Sequence, residues 1–182
     1  MSVATGAVTV PAFDALPEAD ARELLTSCCG ARAWVDGMLE RRPFGSLERV
    51  LAAADDVWWA LAPSDWLEAF RHHPRIGERA AAAAQGERAR GWSGEEQRAT
   101  SEAREDVRTA LAAGNREYER RFGHIYLVCA TGKSADEMLK ILQRRLTNDS
   151  DTELRGAAAE QAKITRLRLL KLLGPAPHAS TS

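Results

Sequence analysis

The sequence predicts an all-α protein, a single-domain bundle of about seven to nine helices with one short buried extended segment. Three observations support this fold class. Apolar residues recur at helical spacing through most of the chain. Capping residues, glycines and prolines divide that pattern into separate helices. The 182 residues, 45% of them hydrophobic, are sufficient for one sizeable core.

Start and stop signals mark four helices in the first part of the chain. A proline in its first turn opens one helix, a proline ends the next, and a serine at the N-cap opens each of the other two. The predicted helices are 17–28, Trp34 to Leu39, a long one after Ser46, and Ser64 to Arg71. Pro74 then disfavours helical geometry at His73, so this histidine is predicted to lie at a helix exit.

The second part of the chain is also predicted to be mainly helical. Its elements are a propensity-favoured run at 80–84, a helix from Ser93 that ends before Gly114, a further turn or two over 115–121, and helices over 135–146 and 152–173. Ser134 and Glu137 form a capping box at the start of 135–146. Residues 124–130 are the one β-like run, too short and solitary to imply a sheet.

The two ends of the chain are predicted to lie outside the helical domain. Residues 1–10 are small and polar and are assigned to a disordered tail. Residues 175–182 follow a helix stop and are assigned to a frayed tail, which leaves 11–174 as the domain.

Composition excludes several classes of partner. The net charge of −1 gives no electrostatic reason to expect nucleic acid or an anionic membrane. No apolar run is long enough to span a bilayer. The three cysteines form no Cys-x-x-Cys and no disulfide framework, so buried thiols in a reducing, cytoplasmic location are expected. The four histidines show no zinc-binding spacing, so no metal site is predicted.

The histidine at the predicted helix exit is the first candidate for chemistry. Pro74 makes the backbone beside His73 rigid, and imidazole is suited to proton transfer near neutral pH. A histidine in such a place is also often surface or satisfied core. His72 could take either role by composition, and the pattern alone does not choose between the two.

The segment Ser93-Gly94-Glu95-Glu96-Gln97 is the second candidate. Ser93 and Glu96 have the spacing of a capping box, which needs no ligand at all. The same helix start would present free N–H groups and a partial positive charge to an anionic or carbonyl-rich ligand. The adjacent carboxylate and amide of Glu96 and Gln97 could then bind urea-like N–H and C=O groups.

Two arginines on the last predicted helix are the third candidate. Arg166 and Arg168 lie about 200 degrees apart at helical spacing, so one can face the bundle while the other is solvated. A buried arginine needs a carboxylate partner or an anionic ligand. Most helix arginines are surface residues, which is the alternative interpretation.

Taken together, the ordered motifs resemble the 2-oxo-4-hydroxy-4-carboxy-5-ureidoimidazoline (OHCU) decarboxylase family, over roughly Phe13 to Leu173. The motifs are Trp34-Val35, Arg42-Pro43-Phe44, His73-Pro74-Arg75-Ile76-Gly77, Ser93-x-x-Glu96-Gln97, Asn115-x-x-Tyr118, Phe122-Gly123, Tyr126-Leu127-Val128-Cys129-Ala130, Arg145-Leu146-x-Asn148, Glu153, and Lys163-Ile164-x-x-x-Arg168-Leu169. The chain differs from the usual pattern at Arg98-Ala99-Thr100 and at Tyr126, where the family usually carries phenylalanine.

The resemblance implies a site and an activity. It implies that His73 and Glu96 are catalytic, and that His73 rather than His72 is the site histidine. It implies that a small ureidoimidazoline substrate is bound by Pro74, Ser93, Gly94, Glu95, Gln97, Tyr126, Leu127, Val128, Cys129, Ala130 and Arg168. The reaction implied is decarboxylation to (S)-allantoin and CO₂ as the last step of urate conversion, with no cofactor, and the family often forms homodimers. Two other functions stay open from the residues alone: a non-catalytic helical interaction module, and a hydrolase acting on a ureide or purine ring.

Overall fold

The computed structural model describes residues 8–75 and 105–174. These ranges contain eight helices: α1 (Val10–Asp14), α2 (Glu18–Cys28), α3 (Arg32–Glu40), α4 (Leu47–Ala60), α5 (Pro63–Arg71), α6 (Glu105–Phe122), α7 (Ala135–Arg145) and α8 (Ser150–Leu173). No strand occurs within them, so the all-α prediction is confirmed for the described part of the chain. The helices predicted at 80–84 and from Ser93, and the tail residues 1–7 and 175–182, lie outside it.

Two predicted caps are present. The Ser46 hydroxyl accepts a hydrogen bond from the Arg49 backbone N–H at 3.3 Å, at the start of α4. At the start of α7, the Ser134 hydroxyl accepts from the Glu137 N–H at 3.2 Å, and the Glu137 carboxylate accepts from the Ser134 N–H at 2.7 Å. These side chains bond backbone N–H groups that have no partner within the helix.

The predicted cap at Ser64 is wrong. Helix α5 begins at Pro63, with Ala62 as its N-cap residue, so Ser64 already lies in the first turn. Proline suits this first position because it has no N–H to satisfy and its φ angle is already helical. The Asp65 carboxylate accepts from the Ala62 N–H at 3.2 Å and closes the turn.

The predicted helix end before Gly114 is also wrong, because α6 runs through this residue to Phe122. A Cβ atom placed on Gly114 would lie 2.6 Å from Cδ2 of Leu142 on α7. The glycine is therefore the residue that allows α6 and α7 to approach closely, rather than a helix terminator. Helix propensity alone cannot show this, since the reason is a tertiary contact.

The described chain divides into two compact units. Within the described residues, the first unit comprises 8–61 and 164–174, and the second comprises 62–75 and 105–163. In the first unit α2 packs on α3 and α3 on α4. The buried Trp34 indole N–H of α3 donates to the Ala54 carbonyl of α4 at 3.1 Å, which links these two helices. Val8 and Val10, assigned to the tail from the sequence, are described here: the Val8 N–H donates to the Leu172 carbonyl, and α1 begins at Val10.

Arg42 fixes the end of α1 and the turn after it by hydrogen bonds. One guanidinium nitrogen of Arg42 lies within 2.8 Å of the carbonyl oxygens of Phe13, Asp14 and Leu16. In return, the Asp14 carboxylate accepts from the Phe44 N–H at 3.0 Å. The motif Arg42-Pro43-Phe44 therefore has a structural role in holding α1 and the turn that follows it.

The second unit is built around the pair α6 and α7. Its apolar core consists of Val107, Leu111, Tyr118, Tyr126, Val128, Ala130, Ala135, Met138 and Leu142. Three of these nine residues come from the β-like run, which is not helical and is buried from Tyr126 to Ala130. The core thus forms around a non-helical segment whose backbone must find hydrogen bonds outside a helix or a sheet.

Candidate functional site

The two neighbouring histidines at the end of α5 have different surroundings. The backbone N–H of His73 donates to the Phe70 carbonyl at 3.1 Å, so His73 lies at the helix exit as predicted. His73 is 8% exposed and Pro74 is buried, whereas His72 is exposed. Of the two, only His73 is placed to contact a ligand that is itself withdrawn from water.

Aromatic and ionic contacts hold the turn at His73 within the second unit. The Phe70 ring lies 5.4 Å from the His124 ring, measured between centroids. The Arg75 guanidinium donates two hydrogen bonds to the Glu119 carboxylate of α6, at 2.6 and 2.9 Å. A cavity of about 230 Å³ beside this turn contains none of the predicted site residues; its lining is Leu67, Phe70, Arg71, Glu119, Gly123, His124 and Ile125.

The segment 126–130 is buried along its whole length, with every residue between 1% and 6% exposed. Side chains supply part of its backbone hydrogen bonding, because it has neither helix nor sheet partners in the described chain. The side chain of Tyr126 is also fixed, because its hydroxyl donates to the Met138 carbonyl of α7 at 3.1 Å. The Arg145 guanidinium donates to the Leu127 carbonyl at 2.6 Å.

Arg145 is itself part of a buried polar network. Its Nε donates to the Glu153 carboxylate at 2.8 Å, and its Nη2 donates to the Tyr118 hydroxyl at 3.2 Å. Tyr118 donates to the same carboxylate, and the Asn148 side-chain amide donates to its second oxygen at 2.9 Å. The network therefore compensates the charge of Glu153, which is 0% exposed, and fixes the guanidinium that holds Leu127.

Burial sets the protonation states in this network. It raises the pKa of Tyr118 far above its usual value, with the hydrogen bond to Glu153 acting in the same direction, so Tyr118 stays a donor. Burial alone would lower the pKa of Arg145, but its hydrogen bond to Glu153 and the electrostatic effects of Tyr118, Glu153 and Tyr126 together outweigh this, and the pKa is raised. Burial also raises the pKa of Tyr126. All three groups thus keep the protons that the hydrogen bonds require.

Charged side chains form hydrogen bonds with both the backbone N–H and the backbone C=O of Cys129. Its backbone N–H donates to the Glu160 carboxylate at 2.7 Å, and its carbonyl accepts from the Lys133 ammonium at 2.7 Å. Glu160 also accepts from the Lys163 ammonium at 2.6 Å. Burial would raise the pKa of Glu160, but the hydrogen bonds from Lys163 and Cys129, together with the positive charges of Lys163 and Arg145, outweigh it and hold the pKa below its ordinary value.

The two arginines of α8 separate as the helical spacing predicts. Arg168 is 5% exposed and belongs to the first unit, where its guanidinium lies 3.4 Å from the Cys28 carbonyl. Arg166 is half exposed and pairs with the Asp55 carboxylate at 3.5 Å. Arg168 is therefore the arginine with the burial expected of a ligand-binding residue.

The predicted site residues fall into three groups. His73, Pro74 and residues 126–130 belong to the second unit and are buried. Arg168 belongs to the first unit. Ser93, Gly94, Glu95, Glu96 and Gln97 lie outside the described residues.

Two further charged residues at the segment, Glu160 and Lys133, are not found by sequence reasoning. Arg145 and Glu153 appear in the family motifs but without a role. Helical periodicity is a signal for Arg145, because it continues the buried positions Ala135, Met138 and Leu142 of α7. A charged residue on an apolar stripe indicates a buried partner.

Residues 8–75 and 105–174 show neither a candidate metal site nor a candidate membrane span. No cluster of three or more His, Cys, Asp or Glu side chains there has an arrangement suited to a metal ion. None of the helices there has the length and apolar character needed to cross a bilayer.

Known proteins resemble this chain over most of its length. The family model described as OHCU decarboxylase matches residues 14–170. The uric acid degradation bifunctional protein TTL of Arabidopsis thaliana is 36% identical over 146 residues, which are 80% of this chain and 45% of that protein. The chain spans less than half the length of the curated relatives it matches.

Two solved structures share the fold. A crystal structure of OHCU decarboxylase in the presence of (S)-allantoin is 32% identical with a TM-score of 0.72, and the match covers 84% of this chain and 99% of that one. A crystal structure of (S)-allantoin synthase is 15% identical with a TM-score of 0.69, over 91% of this chain and 54% of that one. The second likeness concerns the fold alone.

Proposed function

Because this chain belongs to the OHCU decarboxylase family, we propose that it converts 2-oxo-4-hydroxy-4-carboxy-5-ureidoimidazoline to (S)-allantoin and CO₂. This would be the last step in the conversion of urate to allantoin. The observation that carries the proposal is the likeness to the solved OHCU decarboxylase, at 32% identity over 99% of that chain. The burial of His73 at its helix exit agrees with it.

The substrate supplies its own electron sink. Its carboxylate is attached to a ring carbon that also bears a hydroxyl group and adjoins a C=N bond. When the bond to the carboxylate breaks, its electron pair forms a C=C bond and the C=N electrons move to nitrogen, which takes up a proton. The hydroxyl proton then leaves as the carbonyl forms, and the neighbouring carbon is protonated. This chemistry needs no external electron acceptor, so we propose a cofactor-independent reaction.

The roles of the site residues follow from that chemistry. His73 would handle the hydroxyl proton, as general base or as hydrogen-bond partner. Glu96 would hold His73 or the ureido N–H groups, and Gln97 the ureido carbonyl. The helix start at Ser93, Gly94 and Glu95 would bind the substrate as well.

The remaining groups would bind and stabilise charge. The backbone of 126–130 would line the pocket together with Pro74. Arg168 would bind a carboxylate or carbonyl and stabilise the developing negative charge. Protonation from one side only would give one enantiomer of allantoin. We further propose a cytoplasmic location and a homodimer, on family likeness alone.

The test is the circular dichroism of allantoin formed from fresh OHCU, which urate oxidase and hydroxyisourate hydrolase generate in place from urate. The protein should give a rapid signal of one enantiomer. His73→Ala should lower kcat/KM by about 10²-fold or more, the usual contribution of a general acid or base. His72→Ala is the matched control, because the neighbouring imidazole is exposed, and it should stay within about two-fold of the parent.

Each alternative function predicts a different result. Only the slow, racemic background reaction would contradict the decarboxylase and favour a non-catalytic interaction module. Turnover of a ureide without released CO₂ would favour a hydrolase. Equal activity of the folded His73→Ala protein would remove His73 from the mechanism while leaving the reaction assigned.

A further inference from the structure

Val128 lies between two anchored residues of the segment 126–130. On one side Arg145 holds the Leu127 carbonyl, and on the other Glu160 and Lys133 hold the N–H and C=O of Cys129. Three charged side chains thus fix the backbone on both sides of a single residue. This is more ionic restraint than an ordinary buried loop requires, since neutral backbone partners would satisfy the same groups.

The backbone of Val128 is buried and has no protein partner in the described chain. The residue is 4% exposed, and neither its N–H nor its C=O makes a hydrogen bond within residues 8–75 and 105–174. Buried backbone groups almost always have a partner. One donor and one acceptor on the same residue are complementary to an N–H and a C=O of a ureido or imidazoline group.

We propose that Glu160 is a positioning residue of the decarboxylase site: together with Lys133 it fixes Cys129, so that the Val128 backbone donor and acceptor are held ready for the substrate. The inference rests on the proposed function and deepens it. Glu160 acts through Cys129 and does not touch the substrate. The Lys163 ammonium donates to the other oxygen of this carboxylate, at 2.6 Å, and does not contact Cys129.

Three variants separate this role from a general contribution to stability. Glu160→Ala removes the acceptor for the Cys129 N–H. Glu160→Gln keeps a carbonyl oxygen in the same place. Lys163→Ala breaks the ion pair with Glu160 but leaves the bond to Cys129, and Lys163 is largely exposed.

We expect Glu160→Ala to raise KM by about ten-fold and to lower kcat/KM by about 10- to 100-fold. The reason is that even a small displacement of a substrate-binding group weakens binding and slows the reaction. Glu160→Gln should recover most of this loss, and Lys163→Ala should stay within about two-fold of the parent. A merely structural role would reduce the active fraction, and hence the apparent kcat, and leave KM unchanged.

Amide hydrogen exchange gives a second readout that does not depend on activity. Peptides covering 126–130 should exchange faster in Glu160→Ala than in the parent, while peptides from α6 and α7 stay the same. An unchanged KM, unchanged exchange, or a Gln variant as impaired as the Ala variant would overturn the proposal. A parent protein that gives no enantioselective signal would instead contradict the proposed function, and the exchange of the segment would still decide whether Glu160 orders it.

Discussion

Arg145 and Glu153 form a buried ion pair that connects helix packing to the backbone of the candidate site. Glu153 is 0% exposed, and the arginine that neutralises it also donates to the Leu127 carbonyl at 2.6 Å. The Arg145 guanidinium in addition lies 5.1 Å from the centre of the Tyr126 ring. The buried charge of Glu153 thus fixes Arg145, and Arg145 in turn holds the backbone of the non-helical segment at Leu127.

Replacing Glu153 should therefore cost far more stability than replacing an exposed carboxylate. Glu153→Gln leaves Arg145 charged and buried without its counter-ion, and we expect a loss of about 3–5 kcal/mol. The control is Glu117→Gln, which breaks the exposed pair with Arg120 and should cost about 1 kcal/mol or less. Urea unfolding followed by circular dichroism measures both. Equal losses would show that the buried pair contributes no more than a surface pair.

Two helix glycines should respond to alanine in opposite directions. Gly114→Ala would bring a methyl group within 2.6 Å of the fully buried Leu142, and overpacking should cost about 1–3 kcal/mol. Gly156 lies inside α8 with no atom within 4 Å of an added Cβ. Gly156→Ala should therefore stabilise the protein by up to about 1 kcal/mol, through helix propensity. Thermal unfolding compares the two, and a stabilised Gly114→Ala would refute the close helix contact.

Arg168 should be sensitive even to lysine. A lysine keeps the charge but loses the planar fork of donors that binds a carboxylate or carbonyl in two places. Under the proposed function, Arg168→Lys should lower kcat/KM by about ten-fold or more. Arg166→Lys is the matched control, because Arg166 is half exposed and pairs with Asp55. If both variants keep parental kinetics, Arg168 does not bind the substrate.

His124 should make the protein less stable in mild acid. Burial lowers the pKa of His124 below its ordinary value of 6.5, since the imidazole lies among the rings of Phe70, Tyr118 and Phe122. Near its pKa of 6.5, the histidine of the unfolded chain binds a proton that the buried imidazole of the folded chain does not bind. The contribution of His124 to stability is therefore fully present above pH 6.5 and is lost as the pH falls below that value.

The measurement is the free energy of unfolding between about pH 7.5 and about pH 5.5, where histidine titrates. The decline toward acid should be smaller in His124→Gln than in the parent. A parallel decline in the two proteins would assign the effect to other groups.

Local sequence signals predict much of this fold. Periodicity and caps place α4 and α7, because Ser46, Ser134 and Glu137 act through neighbours only three residues away. Gly114 is misjudged because its role depends on Leu142 of another helix. Local rules recognise a glycine as a stop, whereas a packing glycine is defined by a residue remote in sequence.

The candidate site is predictable in part for the same reason. Pro74 fixes the geometry next to His73, and helical spacing separates Arg168 from Arg166, so local rules identify His73 and Arg168 as candidates. Glu160 bonds to Cys129 across 31 positions of sequence. No spacing rule covers such a contact, so this residue emerges only from the fold.

The three cysteines give each compact unit a built-in reporter of its opening. Cys28 and Cys29 belong to the first unit and Cys129 to the second, and all three are buried. A thiol reagent can reach them only when the surrounding unit opens, so the labelling rate reports local unfolding. Mass spectrometry of the labelled peptides would show whether the two units open together or in sequence, without any introduced probe.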